Sequence, residues 1–200
     1  MNIRTPKLIK KVLFLLMQAP RIFCYRILSN ARVFGKMPKL RQPLHAVGRG
    51  LIQFESGVTI GFFPSPYFFS SCAFMDVRNV SSVISIGSNT SINNGFVAIA
   101  EYSHIKIGSR VLMGTNVEII DSDFHGIRLA DRNLSKPEWA KPVVIEDDVF
   151  LGSNVRVCKG VTIGAGSVIA NGAIVVKDIP PGVLAAGNPA LVVRSIVDEI

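Results

Sequence analysis

The sequence predicts an all-β chain wound into a parallel β-helix of hexapeptide repeats. Three observations carry that prediction: a six-residue period, β-branched enrichment, and small residues at fixed places within the period. From residue 145 onward Ile145, Leu151, Val157, Ile163, Ile169 and Val175 are aliphatic without a slip. Ile, Val and Leu number 22, 23 and 14 among 200 residues, so six successive hits at a preset spacing do not follow from composition alone. Four residues after each stands a second small or aliphatic residue: Val149, Val155, Val161, Ser167, Ala173 and Ile179. Gly152, Gly164 and Ala170 directly follow three of the aliphatic positions, where a small residue lets the chain turn. A period of six matches neither the helical period nor the simple alternation of a half-buried strand. It matches a short strand plus a corner, repeated so that each aliphatic side chain stacks on its counterpart one coil away.

Earlier blocks repeat the pattern: Ile86-Gly87-Ser88-Asn89-Thr90-Ser91, Ile107-Gly108-Ser109-Arg110-Val111-Leu112 and Met113-Gly114-Thr115-Asn116-Val117-Glu118. The period slips over Ile99–Ile107 and breaks over residues 61–74, a Phe- and Pro-rich stretch that reads as an inserted corner loop. Three regions follow: a basic, partly helical extension over residues 1–49, a β-helix over 50–190 with an excursion at 126–143, and a closing segment, 191–200, that reads as a short amphipathic C-terminal helix. Pro180-Pro181 ends the last coil, because proline has no N–H for a further ladder bond.

The net charge of +8 is unevenly placed. Eleven of the 22 Lys and Arg fall in residues 1–49, and the first acidic residue is Glu55. Such an arm suits an anionic membrane surface, nucleic acid or a phosphorylated substrate. No nucleic-acid recognition motif is present, which sets that class aside. Leu8, Val12, Leu15 and Leu16 share one helical face with Lys7, Lys10 and Lys11 beside them, and Pro20 is expected to interrupt the helix. Two compatible readings stay open for residues 1–40: peripheral contact with an anionic leaflet, or a helical cap over the open end of the first coil. The apolar run Val12–Met17 is far short of the ~20 residues that cross a bilayer, and no A-x-A-like cleavage site follows it. Cys24, Cys72 and Cys158 have no paired or CxxC spacing, so neither a disulfide framework nor a zinc site is expected and a reducing cytoplasm is the natural setting.

The repeat stops at Asp121-Ser122-Asp123-Phe124-His125-Gly126 and resumes at Val144-Ile145. Long aperiodic excursions in a compact domain are usually functional or disordered. His125 stands at the mouth of this one. An ordinary imidazole, titrating near ~6.5, is mostly neutral at neutral pH and can accept a proton. The alternative is a turn residue without chemistry. Asp121 and Asp123 either orient that imidazole or form the turn themselves. Trp139 and Asn94 are candidate acceptor-binding residues, with Trp139 stacking on a ligand or pinning the loop. His104 reads as a solvated corner residue and Cys158 as structural. No second His pairs with His125 at metal-ligating spacing, so no metal is expected.

Repeat and closing motif together, the latter Ile179-Pro180-Pro181-Gly182-Val183 followed by Ala185-Ala186-Gly187-Asn188-Pro189-Ala190, resemble the hexapeptide-repeat acyltransferases, the family of the maltose, galactoside and polysaccharide O-acetyltransferases. The likeness covers residues 80–195 well and 50–80 loosely. It implies left-handed coils of three hexapeptides, against the usual right-handed crossover preference. It implies a homotrimer with sites between neighbours, acetyl-CoA as acyl donor, and His125 as the base that deprotonates an acceptor hydroxyl. Phe150-Leu151-Gly152-Ser153 resembles the family's corner at the thioester, where the Ser153 amide would be an oxyanion donor. The pantetheine would pass Gly152, Asn171-Gly172 and Val176-Lys177, with Lys177 and Arg194 at the nucleotide phosphates. The chain departs from the pattern at Asn171, often a small residue, and at Leu191, often Arg. The expected activity is O-acetylation of a sugar hydroxyl in the biosynthesis of a cell-surface polysaccharide of capsule or O-antigen type, on a free or lipid-linked carbohydrate acceptor. An N-acetyl or antibiotic acetyltransferase of the same fold, or a non-catalytic trimeric solenoid scaffold, are the alternatives.

Overall fold

Each unit divides into a strand of two to five residues and a corner, and three units close one triangular turn. A computed structural model of the chain describes residues 7–196. Helix α1 (Lys7–Leu28) leads into six coils. The first three are β1 (Arg32–Gly35), β2 (Lys39–Leu40) and β3 (Leu44–Gly48); β4 (Leu51–Phe54), β5 (Thr59–Ile60) and β6 (Ala73–Val77); β7 (Val83–Ile86), β8 (Ser91–Ile92) and β9 (Val97–Ala100). The next three are β10 (His104–Ile107), β11 (Leu112–Met113) and β12 (Glu118–Ile120); β13 (Val143–Ile145), β14 (Phe150–Leu151) and β15 (Arg156–Val157); β16 (Thr162–Ile163), β17 (Val168–Ile169) and β18 (Ile174–Val175). β19 (Val183–Gly187) and β20 (Ala190–Ser195) close the chain. First, second and third strands of successive coils stack into three sheets, called here faces A, B and C. The coils are left-handed and the ladders parallel, apart from the final antiparallel pair.

The repeat positions land where the period puts them. Ile145 pairs with Ile163, Leu151 with Ile169 and Val157 with Val175. All six are at most 1% exposed, and so are Val149, Val155, Val161, Ser167 and Ala173, so each unit sends two side chains into the core. The small residue after the aliphatic one has a reason beyond turning. A Cβ on Gly152 would lie 2.7 Å from the Asn171 backbone nitrogen, and one on Gly164 2.4 Å from that of Pro181. The neighbouring coil passes too close for any side chain there.

Three expectations are corrected. The β-helix begins at Arg32 rather than at residue 50. Its first strand is exposed along its whole length, so it carries no inside–outside pattern to read. α1 runs through Pro20 without ending there. It packs beside the first coils, with Tyr25 edge-on to His45 and His45 edge-on to Phe74. Finally, Ala190–Ser195 is a strand, not the start of a helix. It pairs antiparallel with β19, from Gly187↔Ala190 to Val183↔Ser195, and satisfies the edge that face B would otherwise leave open. Residues 197–200 of the expected helix lie outside the described residues, as do the side chains of Lys7, Leu8, Lys10, Lys11 and Leu15 on α1.

Burial therefore ranks the leucines. Leu151→Ala is expected to cost about 2–5 kcal/mol in urea unfolding, because it empties a closed core position. Leu112, half-exposed at 51%, should cost under ~1 kcal/mol on the same change. Equal losses would contradict the inward-outward assignment.

Candidate active site

Because coils stack in register, corner residues form columns. At the B–C edge, pairing of Ile92 with Met113, Met113 with Leu151, and Leu151 with Ile169 puts Asn94, Thr115, Ser153 and Asn171 in one column. At the C–A edge, pairing of Ile119 with Val157 and Val157 with Val175 aligns Asp121, Lys159 and Lys177. The candidate residues therefore divide between two edges of the prism, with face C between them.

The excursion leaves from the C–A edge after β12 and returns at β13, holding two single-turn 3₁₀ segments, Leu129–Asp131 and Pro137–Trp139. It folds back on His125. The His125 Nδ1 lies 3.0 Å from the Arg132 carbonyl oxygen. A carbonyl can only accept, so Nδ1 carries the proton and Nε2 keeps its lone pair. The Arg132 side chain clasps the same turn, donating to the Gly126 and Ile127 carbonyls at 3.2 and 3.1 Å. Gly126 donates to the Asp131 carbonyl at 3.2 Å, and a Cβ there would lie 2.6 Å from that oxygen, so only glycine allows this closure.

His125 lines a cavity of about 420 Å³ with Asp123, Arg128, Asp131, Trp139 and Lys159 among its walls. Lys159 joins the two ends of the excursion, donating to Asp123 at 2.5 Å and to the Trp139 carbonyl at 2.7 Å. The Lys136 ammonium stands 5.3 Å from the Trp139 ring centroid, so the indole forms part of a charged wall. Cys158 nearby has its thiol pushed up by burial and by the Asp123 and Glu118 charges, which keeps it protonated and inert.

Asp121 and Asp123 have separate fates. Asp121 is fully buried and bonds no imidazole; its carboxylate accepts from the backbone N–H groups of Glu101 at 2.7 Å and Ser103 at 2.7 Å, with Tyr102 at 3.3 Å. Burial pushes its carboxyl up from the ordinary range, against the pull of those three donors. It staples one corner to the next. Phe124 sits over the Arg78 guanidinium at 4.6 Å, and Arg78 is paired with Asp76 at 2.9 Å and Glu101 at 3.5 Å. The residue before His125 is thus tied to the two coils beneath it.

On the B–C edge, Asn94 is also fully buried and spent on structure. Its amide donates to the carbonyls of Phe62 and Pro66 and accepts from the Phe62 N–H, latching the inserted loop. It is not available to an acceptor. The Ser153 N–H donates to the Asn171 Oδ1 at 2.7 Å, so the amide proposed for an oxyanion is capped by the residue that departs from the family pattern. Beside this column a groove of about 500 Å³ is lined by Asn116, Glu118, Asn154, Arg156 and Gly172. Val176 and Lys177 are exposed on the C–A edge, and Arg194 is exposed on β20 of face B. His104 is exposed on β10, next to Ile105, which pairs with Val143 where the excursion returns. Among the described residues no group of three or more His, Cys, Asp or Glu is placed to share a metal ion.

Sequence reading missed Arg132, Lys159 and Arg78. Lys159 was accessible from the period, since it stands two residues past Val157 and in register with Lys177. Arg132 and Arg78 carried no periodic signal.

Comparison with known proteins follows the same geometry. Residues 142–177 match the family model described as the hexapeptide repeat of succinyl-transferase. The galactoside O-acetyltransferase of Escherichia coli is 39% identical over 118 residues, 59% of this chain and 57% of that protein. The hexapeptide-repeat acetyltransferase of Vibrio cholerae solved with acetyl coenzyme A is 29% identical, with a TM-score of 0.57, covering 89% of this chain and 77% of that one. The solved polySia-specific acetyltransferase NeuO is 27% identical at a TM-score of 0.57, covering 84% and 70%. The repeat matches the hexapeptide family model, and the fold is similar to that of solved hexapeptide-repeat acetyltransferases. The chain spans about half the length of the curated relatives it matches.

The two aspartates should separate in stability. Asp121→Asn leaves a backbone donor facing an amide N–H₂ and is expected to cost about 1–3 kcal/mol in thermal or urea unfolding. Asp123→Asn removes one half-exposed ion pair, for a change of under ~1 kcal/mol. A reversed order would show that Asp121 is not the staple.

Proposed function

We propose that this protein is an acetyltransferase that moves the acetyl group of acetyl-CoA to a sugar hydroxyl, in the assembly of a cell-surface polysaccharide of capsule or O-antigen type. The observation that carries the reading is the His125 ring, held by a backbone carbonyl so that Nε2 is the basic nitrogen at the wall of a cavity. The matched galactoside and polySia-specific enzymes support a carbohydrate acceptor, and the relative solved with acetyl coenzyme A supports the donor.

In this reading His125 Nε2 takes the proton of the acceptor hydroxyl as its oxygen attacks the thioester carbonyl. The same proton passes to the departing sulfur, CoA leaves as the free thiol, and the sugar keeps the ester. The Arg132 carbonyl stabilises the imidazolium formed between these two transfers. Trp139, with Lys136 against it, is the surface offered to the acceptor ring. The thioester oxygen takes the place of the Asn171 Oδ1 on the Ser153 N–H, so Asn171 must turn aside for that donor to serve. Gly152 sets the turn that presents the Ser153 N–H to the donor, Val176 lies along the donor's chain, and Lys177 and Arg194 face its phosphates.

One chain places His125 and Ser153 on different edges of the prism, so a site using both takes one from each of two neighbouring copies. A closed ring of such contacts is a homotrimer. The cysteines have no disulfide pattern, so the setting proposed is the cytoplasm, on the inner side of the membrane where a lipid-linked acceptor would be met.

The test is CoA release, followed with a thiol reagent, across a panel of glycans. His125→Ala should lower turnover roughly a hundred- to ten-thousandfold while acetyl-CoA still binds. Unchanged turnover in that variant would remove His125 as the base. Release with amines alone would make the enzyme an N-acetyltransferase, and absence of CoA binding would leave a scaffold. A monomeric mass in solution would refute the shared site.

A further inference from the structure

We propose that α1 and the exposed first coil form a docking surface for an anionic lipid bilayer. The inference is independent of the acetyl-transfer reading. It starts from how α1 divides its circumference. The face carrying Phe14, Gln18, Ile22 and Tyr25 is turned to the protein. Phe14 meets the Phe68 ring at 5.8 Å, the fully buried Gln18 donates to the Phe68 carbonyl at 2.6 Å, and Tyr25 meets His45. Arg21 anchors the same side through the Ser71 carbonyl at 2.8 Å.

On the opposite side Ile9, Val12, Leu16, Phe23 and Ile27 stand exposed, at spacings that keep them on one stripe five turns long. Leu16, Phe23 and Ile27 are 67%, 64% and 67% exposed. A helix already anchored by its inner face has no internal need for this second apolar face. Further apolar side chains are exposed at the first coils: Val33 and Phe34 on β1, Met37 after it, and Phe62 and Phe69 on the loop against which α1 packs. A stripe of large apolar side chains left exposed on an anchored helix marks an interaction site.

Charge selects the occupant. Residues 1–49 hold eleven Lys and Arg and no acidic residue, whereas the remainder of the chain is net acidic. Arg26, Arg32, Lys36, Lys39 and Arg49 are exposed among or beside the apolar side chains. A partner that accepts apolar groups to a shallow depth while surrounding them with negative charge is an anionic leaflet. A second copy of this chain would bring the same cations face to face, which disfavours self-pairing through this stripe. No helix of the described residues is long and apolar enough to cross a membrane, so the contact is one of lying on the surface. If the trimer holds, three copies related by an axis along the prism present this end on one side, and three weak contacts add as one avid one.

The experiment is flotation of the full chain with vesicles of phosphatidylcholine alone and of phosphatidylcholine mixed with phosphatidylglycerol. Wild type should float with the mixed vesicles and stay behind with the neutral ones. Leu16→Glu with Phe23→Glu should lower the bound fraction about tenfold or more by placing charge in the inserted face. Arg32→Glu with Lys36→Glu should do the same, since each cation near such a surface is worth roughly fivefold in affinity. Circular dichroism and CoA release should be unchanged in both variants. The proposal is overturned if wild type ignores the mixed vesicles, binds both kinds equally, or if Leu16→Glu with Phe23→Glu changes the solution mass without vesicles, which would make the stripe a protein interface. Loss of CoA release in wild type would refute the enzyme reading and leave the flotation result standing.

Discussion

Register between coils is the constraint on which the rest of this molecule depends. Each strand is only a few residues long and would not hold alone. It is fixed because its backbone bonds to strands above and below and its inward side chain rests on the same position one coil away. A one-residue slip would turn Leu151 outward and Phe150 inward, and would do so for every position above. Close approach of neighbouring backbones at Gly152 and Gly164 penalises that slip further. The same stacking that builds the core therefore decides which polar residues meet at the corners. Asn94, Thr115, Ser153 and Asn171 are neighbours for no other reason.

This explains what the sequence made legible. Positions governed by stacking repeat, and repetition can be read: the buried series from Ile145 to Val175, the glycines behind it, and the place where the excursion opens. Positions governed by single events cannot. β1 repeats nothing because it lies exposed at the end of the prism. Leu191-Val192-Val193 fits a helix turn or a strand equally well, and only the open edge of β19 selects the strand. Pro20 lacks an N–H, yet α1 is held from outside by Gln18, Arg21 and Tyr25, and tertiary contacts outweigh the local penalty. Asp121 and Asn94 were legible as polar residues at corners, but not as staples, because their partners are backbone groups that carry no residue identity.

The site combines two kinds of order. The B–C column is rigid and repetitive, with each group fixed by the coil beside it. The His125 excursion is aperiodic and closes on itself through Arg132, Lys159 and Gly126. The base proposed at His125 needs a defined tautomer, and a carbonyl within the excursion sets it. The excursion supplies the carbonyl of Arg132, a group free of any coil. Phe124 on Arg78 then connects that irregular loop to the regular stack, through a contact whose strength is electrostatic and does not require periodic sequence.

Separation of the two edges follows from the same geometry and limits what one chain can do. A triangular coil keeps adjacent corners apart by the width of a face, and the face between them is fully laddered, so no local rearrangement brings the Ser153 corner to the His125 corner. Moving the base to the B–C edge would require opening the coil between β12 and β13 at a different corner, and the excursion would then lose Lys159 and the Asp121 staple beneath it. Joining two chains leaves every coil intact and gains the second corner at no cost to the core. In the proposed reading, association is the means by which a rigid repeat, unable to bend around a substrate, brings both corners to one site.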